Sequence, residues 1–196
     1  MNIAFSAPIF IAALFCCNQL QAEGSMKSTV DVVGQGMAGP VVSADGATLI
    51  RTENGITASL SMPTPVSGSY TYPIGNAFQP MVFAGHPEAF TGWMFVFNNP
   101  EACTDPCNGD DLGPTPARGG AFNFAGHVVG GSTLNLTGHI SKRSEPFVGV
   151  PIDNPLGAEV HLAVAPHGGL QPDLLPTQIT FPIGTSAEWW LAIFLP

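Results

Sequence analysis

The residues best equipped for chemistry are His127, His139, His161 and His167, with Glu159 two positions before His161. Imidazole titrates near neutral pH and is the commonest metal ligand, and a carboxylate beside it adds a further ligand or a base. The set is therefore a candidate metal site or acid–base pair. Strand spacing counts against its full assembly. His127 and His139 fall on the polar faces of consecutive strands, and a three-residue turn between those strands leaves them about four residues apart. At roughly 3.3 Å per residue, that is on the order of 13 Å, too far for two ligands of one metal. His161 could approach either from a neighbouring strand. His167, in the turn Pro166-His167-Gly168-Gly169, could join it. The competing reading, four ordinary surface histidines, is the favoured one.

Asp105, Asn108, Asp110 and Asp111 form a second cluster, between and after Cys103 and Cys107. Oxygen ligands crowded on one loop are what calcium takes. Their spacing follows no recognised calcium loop, and Asp and Asn also build turns through their own side chains, which is the preferred reading. Cys103 and Cys107 read as a structural disulfide, whose short loop adds only about 2 kcal/mol by chain entropy. The pair lacks the spacing of a redox motif or the second pair of a zinc site. Trp93, Trp189 and Trp190 are candidates for stacking on a sugar or a partner. Neighbours on a strand point to opposite faces, so Trp189 and Trp190 cannot share a core. The glycines of Gly34-Gln35-Gly36-Met37-Ala38-Gly39 match a dinucleotide-binding turn, but Pro40 leads into another strand where that motif needs a helix. No serine elbow, cysteine–histidine nucleophile or phosphate loop is present, and Asn135-Leu136-Thr137 is a glycosylation sequon.

The elements that must position these groups are strands. With 23 Gly, 19 Pro and 10% charged residues, the composition suits short strands joined by turns. Ser28 to Val33 reads as a strand; Asp45-Gly46 and Asn54-Gly55 read as hairpin turns. Pro63 to Pro80 reads as irregular chain. Trp93 to Phe97 is apolar on both faces, as in a central buried strand. Across 121–140, the even residues Phe122, Phe124, Val128, Leu134, Leu136 and Ile140 are apolar and the odd ones polar. Two strands burying even residues pair through an odd loop, here three residues with a glycine in the left-handed position. Glu159 to Val164 alternates likewise, with Val160, Leu162 and Val164 inward and Glu159 and His161 outward. Trp189 to Phe194 closes the chain as a strand apolar on both faces. The expectation is a single all-β domain over residues 23–196, an antiparallel sandwich or barrel.

Residues 1–22 read as an export signal: an uncharged apolar run through Cys17, too short to span a bilayer, then a small residue at Ala22. Its n-region lacks the usual Lys or Arg. A lipoprotein anchored through Cys17 is the alternative. The net charge of −9 from 14 acids and five bases excludes an electrostatic footprint for nucleic acid or anionic lipid. No membrane span is expected in the mature chain.

Several motifs together are similar to a family. Phe97-Asn98-Asn99-Pro100 runs into Cys103 and Cys107, and Ala125-Gly126-His127-Val128-Val129-Gly130-Gly131 follows. Then come Gly138-His139, Ala158-Glu159-Val160-His161-Leu162 and His167-Gly168. This order resembles a family of uncharacterised exported bacterial all-β proteins, over most of residues 45–180. The resemblance implies export and one β-domain, and it transfers no catalytic residue. The stretch from His161 to His167-Gly168, followed by Pro172, also resembles CHRD domains, β-modules named for chordin.

The preferred reading is an exported, secreted or periplasmic, non-catalytic all-β domain that binds a ligand or serves the cell envelope, with no cofactor. The first alternative is a metal-binding protein or metal-dependent enzyme using the histidines and Glu159. The second is a carbohydrate-binding module using the tryptophans.

Overall fold

The computed structural model describes residues 24–34, 36–66, 87–104, 106–180 and 189–196. The export-signal reading, most of the Pro63–Pro80 segment and Asp105 lie outside the described residues. Nine strands follow in chain order: β1 (Met26–Gly34), β2 (Val41–Thr52), β3 (Gly55–Pro63), β4 (Glu88–Phe97), β5 (Gly119–Val129), β6 (Thr133–Ser141), β7 (Val148–Gly149), β8 (Glu159–Gly169) and β9 (Trp190–Phe194). One short helix, α1 (Leu175–Gln178), follows β8. The strands form a single antiparallel sheet in the order β6-β3-β2-β1-β9-β8-β4-β5-β7. The sheet curls into a half-barrel, so the architecture is all-β and barrel-like, with one sheet among the described residues.

Period-two alternation fills the inside of the curl. In β3, Ile56, Ala58, Leu60 and Met62 are buried inward, while Thr57, Ser59 and Ser61 face out. In β6, Leu134 and Leu136 are buried while Thr133, Asn135, Thr137 and His139 are exposed. Phe90, Met94 and Val96 of β4 meet Val160, Leu162 and Val164 of β8 and Trp190, Ala192 and Phe194 of β9 in the same core. The even-residue assignment across 121–140 holds at Phe122, Phe124, Leu134, Leu136 and Ile140 and fails at Val128: past the β4–β5 register shift, odd-numbered Val129 enters the core instead. The three-residue connection, Gly130 to Ser132, holds.

The expected β5–β6 hairpin does not hold. β5 ladders with β4 and β7, and β6 with β3. The two strands instead meet where the sheet curls back: a Cβ on Gly138 would sit 1.8 Å from the Phe124 carbonyl oxygen. With no ladder to close, the connection needs no left-handed residue, and neither Gly130 nor Gly131 has a positive φ. A second correction concerns Asp45-Gly46. β2 runs straight through it, with the β1 register shifting between Val30 and Val32. Asp45 has φ 51° and its N–H donates to Asp31 Oδ1 at 2.8 Å. The left-handed conformation that suits a turn here makes a bulge. Asn54-Gly55 does mark a hairpin, with Thr52 opposite Gly55.

The largest departure is on the outer face of β4 and β8. Both strands are buried almost throughout, and Glu159 and His161, expected in water, are 5% and 7% exposed. Returning chain covers that face at both ends, the disulfide loop at one and residues 171–180 at the other. Pro166 to Gly169, read as a turn, continues β8 as a strand with a register shift opposite Ala89 and Phe90. Arg51 fastens the last strand: buried, with its pKa lowered by burial, it donates to the carbonyls of Ala158 (3.0 Å) and Leu195 (3.2 Å). Among the described residues, no helix is long and apolar enough to cross a membrane.

Candidate functional site

The site is built on cross-strand pairs of the outer face. Opposite Glu159, His161 and Ala163 of β8 stand Phe97, Phe95 and Trp93 of β4, and opposite Ala163 on the other side stands Leu191 of β9. Aromatic and aliphatic side chains face small Ala163, so the surface dips there. The result is a cleft of about 530 Å³, walled by Phe95, Phe97, Trp189, Leu191 and Met37 and floored by Ala163 and His161. Phe95 and Trp189 stand edge to face with centroids 6.5 Å apart. They make two walls of a corner.

At one end of the floor lies a buried, hydrogen-bonded Glu159–His161 pair. His161 Nε2 is 2.6 Å from Glu159 Oε1, and the Cys107 backbone N–H donates to the same oxygen at 3.2 Å. Burial favours the neutral imidazole, and a neutral ring whose Nε2–H donates to the carboxylate keeps a lone pair on Nδ1. The Phe97 ring packs edge-on against the imidazole, centroids 5.2 Å apart, and fixes its plane. Burial lowers the His161 pKa, opposed by the hydrogen bond and charge of Glu159. Nδ1 has no hydrogen-bond partner among the described residues.

The loop beside the pair is held by local chemistry. Cys103 and Cys107 form the expected disulfide. Asn108 N–H donates to Asp111 Oδ2 (2.9 Å) while Asp110 N–H donates to Asn108 Oδ1 (2.8 Å), a reciprocal cap on the turn at Gly109–Asp111. Asp111 and Asn108 are thus engaged in turn formation, and Asp110 is exposed.

The other candidates lie elsewhere. His127 is exposed on β5, opposite Phe90. His139 is exposed on β6, with Nδ1 2.9 Å from Thr57 Oγ1. His167 sits at the far end of the β4–β8 face, fully buried, with Nε2 3.1 Å from Thr91 Oγ1. That hydroxyl also accepts from the Trp93 indole N–H at 3.1 Å. Gln178 of α1 closes this end by donating to the carbonyls of His167 and Gly169 at 3.2 and 2.8 Å. Burial pushes the His167 pKa down to about 4, with Gln178 opposing. Of the tryptophans, Trp190 enters the core and Trp189 lines the cleft. Among the described residues, no group of three or more His, Cys, Asp or Glu side chains could hold a metal ion.

Sequence reasoning missed Phe95, Phe97, Ala163 and the Cys107 N–H. Residue parity carried a usable signal, since Phe95 and Phe97 share a face, as do Glu159 and His161. No family model matches the chain, and neither the curated proteins nor the solved structures contain a match.

Proposed function

We propose that this chain is an exported, non-catalytic β-domain that binds a small, largely apolar molecule in the cleft of Phe95, Phe97 and Trp189. The observation that carries the reading is the cleft itself. It has the volume of small-molecule sites, mostly apolar walls and two oriented polar side chains, His161 and Asn108, the combination such sites share. Among the described residues, the walls contain no serine or threonine, and the Cys107 sulfur is tied up in the disulfide, so none of these residues gives His161 a nucleophile to activate. The same disulfide is compatible with an oxidising compartment.

The test is a titration with naphthalene, followed by tryptophan fluorescence. Saturable one-to-one binding is expected for the wild type and not for Ala163→Phe, whose ring fills the floor. Absence of saturable binding to the wild type, or unchanged binding by a folded Ala163→Phe, defeats the reading.

A further inference from the structure

We infer that the molecule taken by this cleft carries an uncharged hydrogen-bond donor, a hydroxyl or N–H on an apolar frame, which Nδ1 of His161 accepts. The inference rests on the cleft reading and adds the class of ligand. It follows from the direction of the hydrogen bond between His161 and Glu159. Glu159 Oε1 accepts the hydrogen bond from Nε2–H at 2.6 Å, burial favours the neutral imidazole, and a neutral imidazole has one donor and one acceptor, so the nitrogen left over is an acceptor. Rotation of the ring is blocked on both counts that matter: the flipped ring would lose the carboxylate bond, and Phe97 packs edge-on against it. His161 contributes to the cleft lining, and Nδ1 is not among the buried polar atoms that lack a partner. It is therefore a lone pair held open at the end of an aromatic cleft.

Charge narrows the class further. The chain carries a net charge of −9, and the charged group behind His161 is a carboxylate, so an anionic ligand is disfavoured. An ammonium would be attracted by the field. However, Glu159 does not line the cleft, and its Oε1 already accepts two N–H groups, from His161 and Cys107. A neutral donor fits without leaving a charge unpaired. Its bond to Nδ1 would be strengthened through the imidazole by Glu159, since hydrogen bonds in a chain polarise one another.

The test compares two probes of the same frame, 2-naphthol and 2-methoxynaphthalene, by isothermal titration calorimetry on the intact disulfide-bonded protein. The naphthol is expected to bind about tenfold or more tightly, because the ether leaves the buried acceptor unmet. In His161→Phe the two probes should bind alike. Without any variant, the Nδ1 nitrogen resonance of His161 should move when the naphthol is added and not when the ether is. Equal affinity of the two probes for the wild type, or tighter binding of the ether, overturns the inference and leaves the cleft reading standing. Binding of neither probe defeats both.

Discussion

His161 and His167 occupy one strand and one face, both are buried, and burial lowers the pKa of both. Their surroundings nevertheless make them different objects. His167 is closed in by the Thr91 hydroxyl, the Trp93 indole and Gln178 of α1. Phe147 packs edge-on against Trp93, with centroids 5.5 Å apart, and finishes that end. His161 has a carboxylate behind it and a cleft in front. A histidine closed in by a hydroxyl, an indole and a glutamine serves the fold. One wired to an ion and left open on its other side is available to a ligand. Burial and a shifted titration do not separate the two; the partner and the opening do.

The comparison is bounded by the core that both ends share. Leu162 lies between them on the opposite face of β8 and is fully buried. Leu162→Ala should cost about 2–5 kcal/mol in urea unfolding, and it should weaken both ends alike. A loss confined to one end would mean that the two are separately stabilised.

A pH titration should next distinguish the ends. A histidine held near 4 in the fold and near its ordinary value when unfolded stays neutral in the native state while the unfolded chain takes up a proton. Its contribution is complete above about 6.5 and is lost as pH falls towards 4. For His167 the loss approaches roughly 3 kcal/mol at the acid end. Denaturant midpoints at pH 7 and 4.5 should show that loss in the wild type, and His167→Gln should flatten it. His161 acts in the same direction, reduced by Glu159.

Breaking the disulfide, as in the double variant Cys103→Ser and Cys107→Ser, should cost about 2 kcal/mol. It should also weaken binding in the cleft, because the Cys107 N–H holds Glu159. The smallest effect belongs to Gln178→Ala, about 1–2 kcal/mol from two carbonyls that lose a donor. That variant should leave cleft binding intact, and a change in probe affinity would show that the ends are coupled.

Much of this was legible in the residues. Alternation in β6 and β8 identified the inward sets, and opposite-facing neighbours correctly separated Trp189 from Trp190. Parity also placed Glu159 and His161 on one outer face. It could not say what lies over that face, because alternation distinguishes two sides of a strand and carries nothing about covering loops. That is why His161 read as a surface residue. The same limit hid the β5–β6 arrangement: residues 130–132 set the spacing of the two strands, whereas ladder partners depend on contacts far away in sequence. Asp45-Gly46 shows the local form of the problem, since a residue tolerant of positive φ suits a turn and a bulge equally well.

The most direct test is where a bound probe lies. With 2-naphthol at saturation, intermolecular nuclear Overhauser contacts should run to the Phe95 and Trp189 rings and the Ala163 methyl. None should run to Trp93 or Phe147. Contacts concentrated at Trp93 and Phe147, or scattered over the surface with none to Ala163, would contradict the assignment of the His161 end as the binding site.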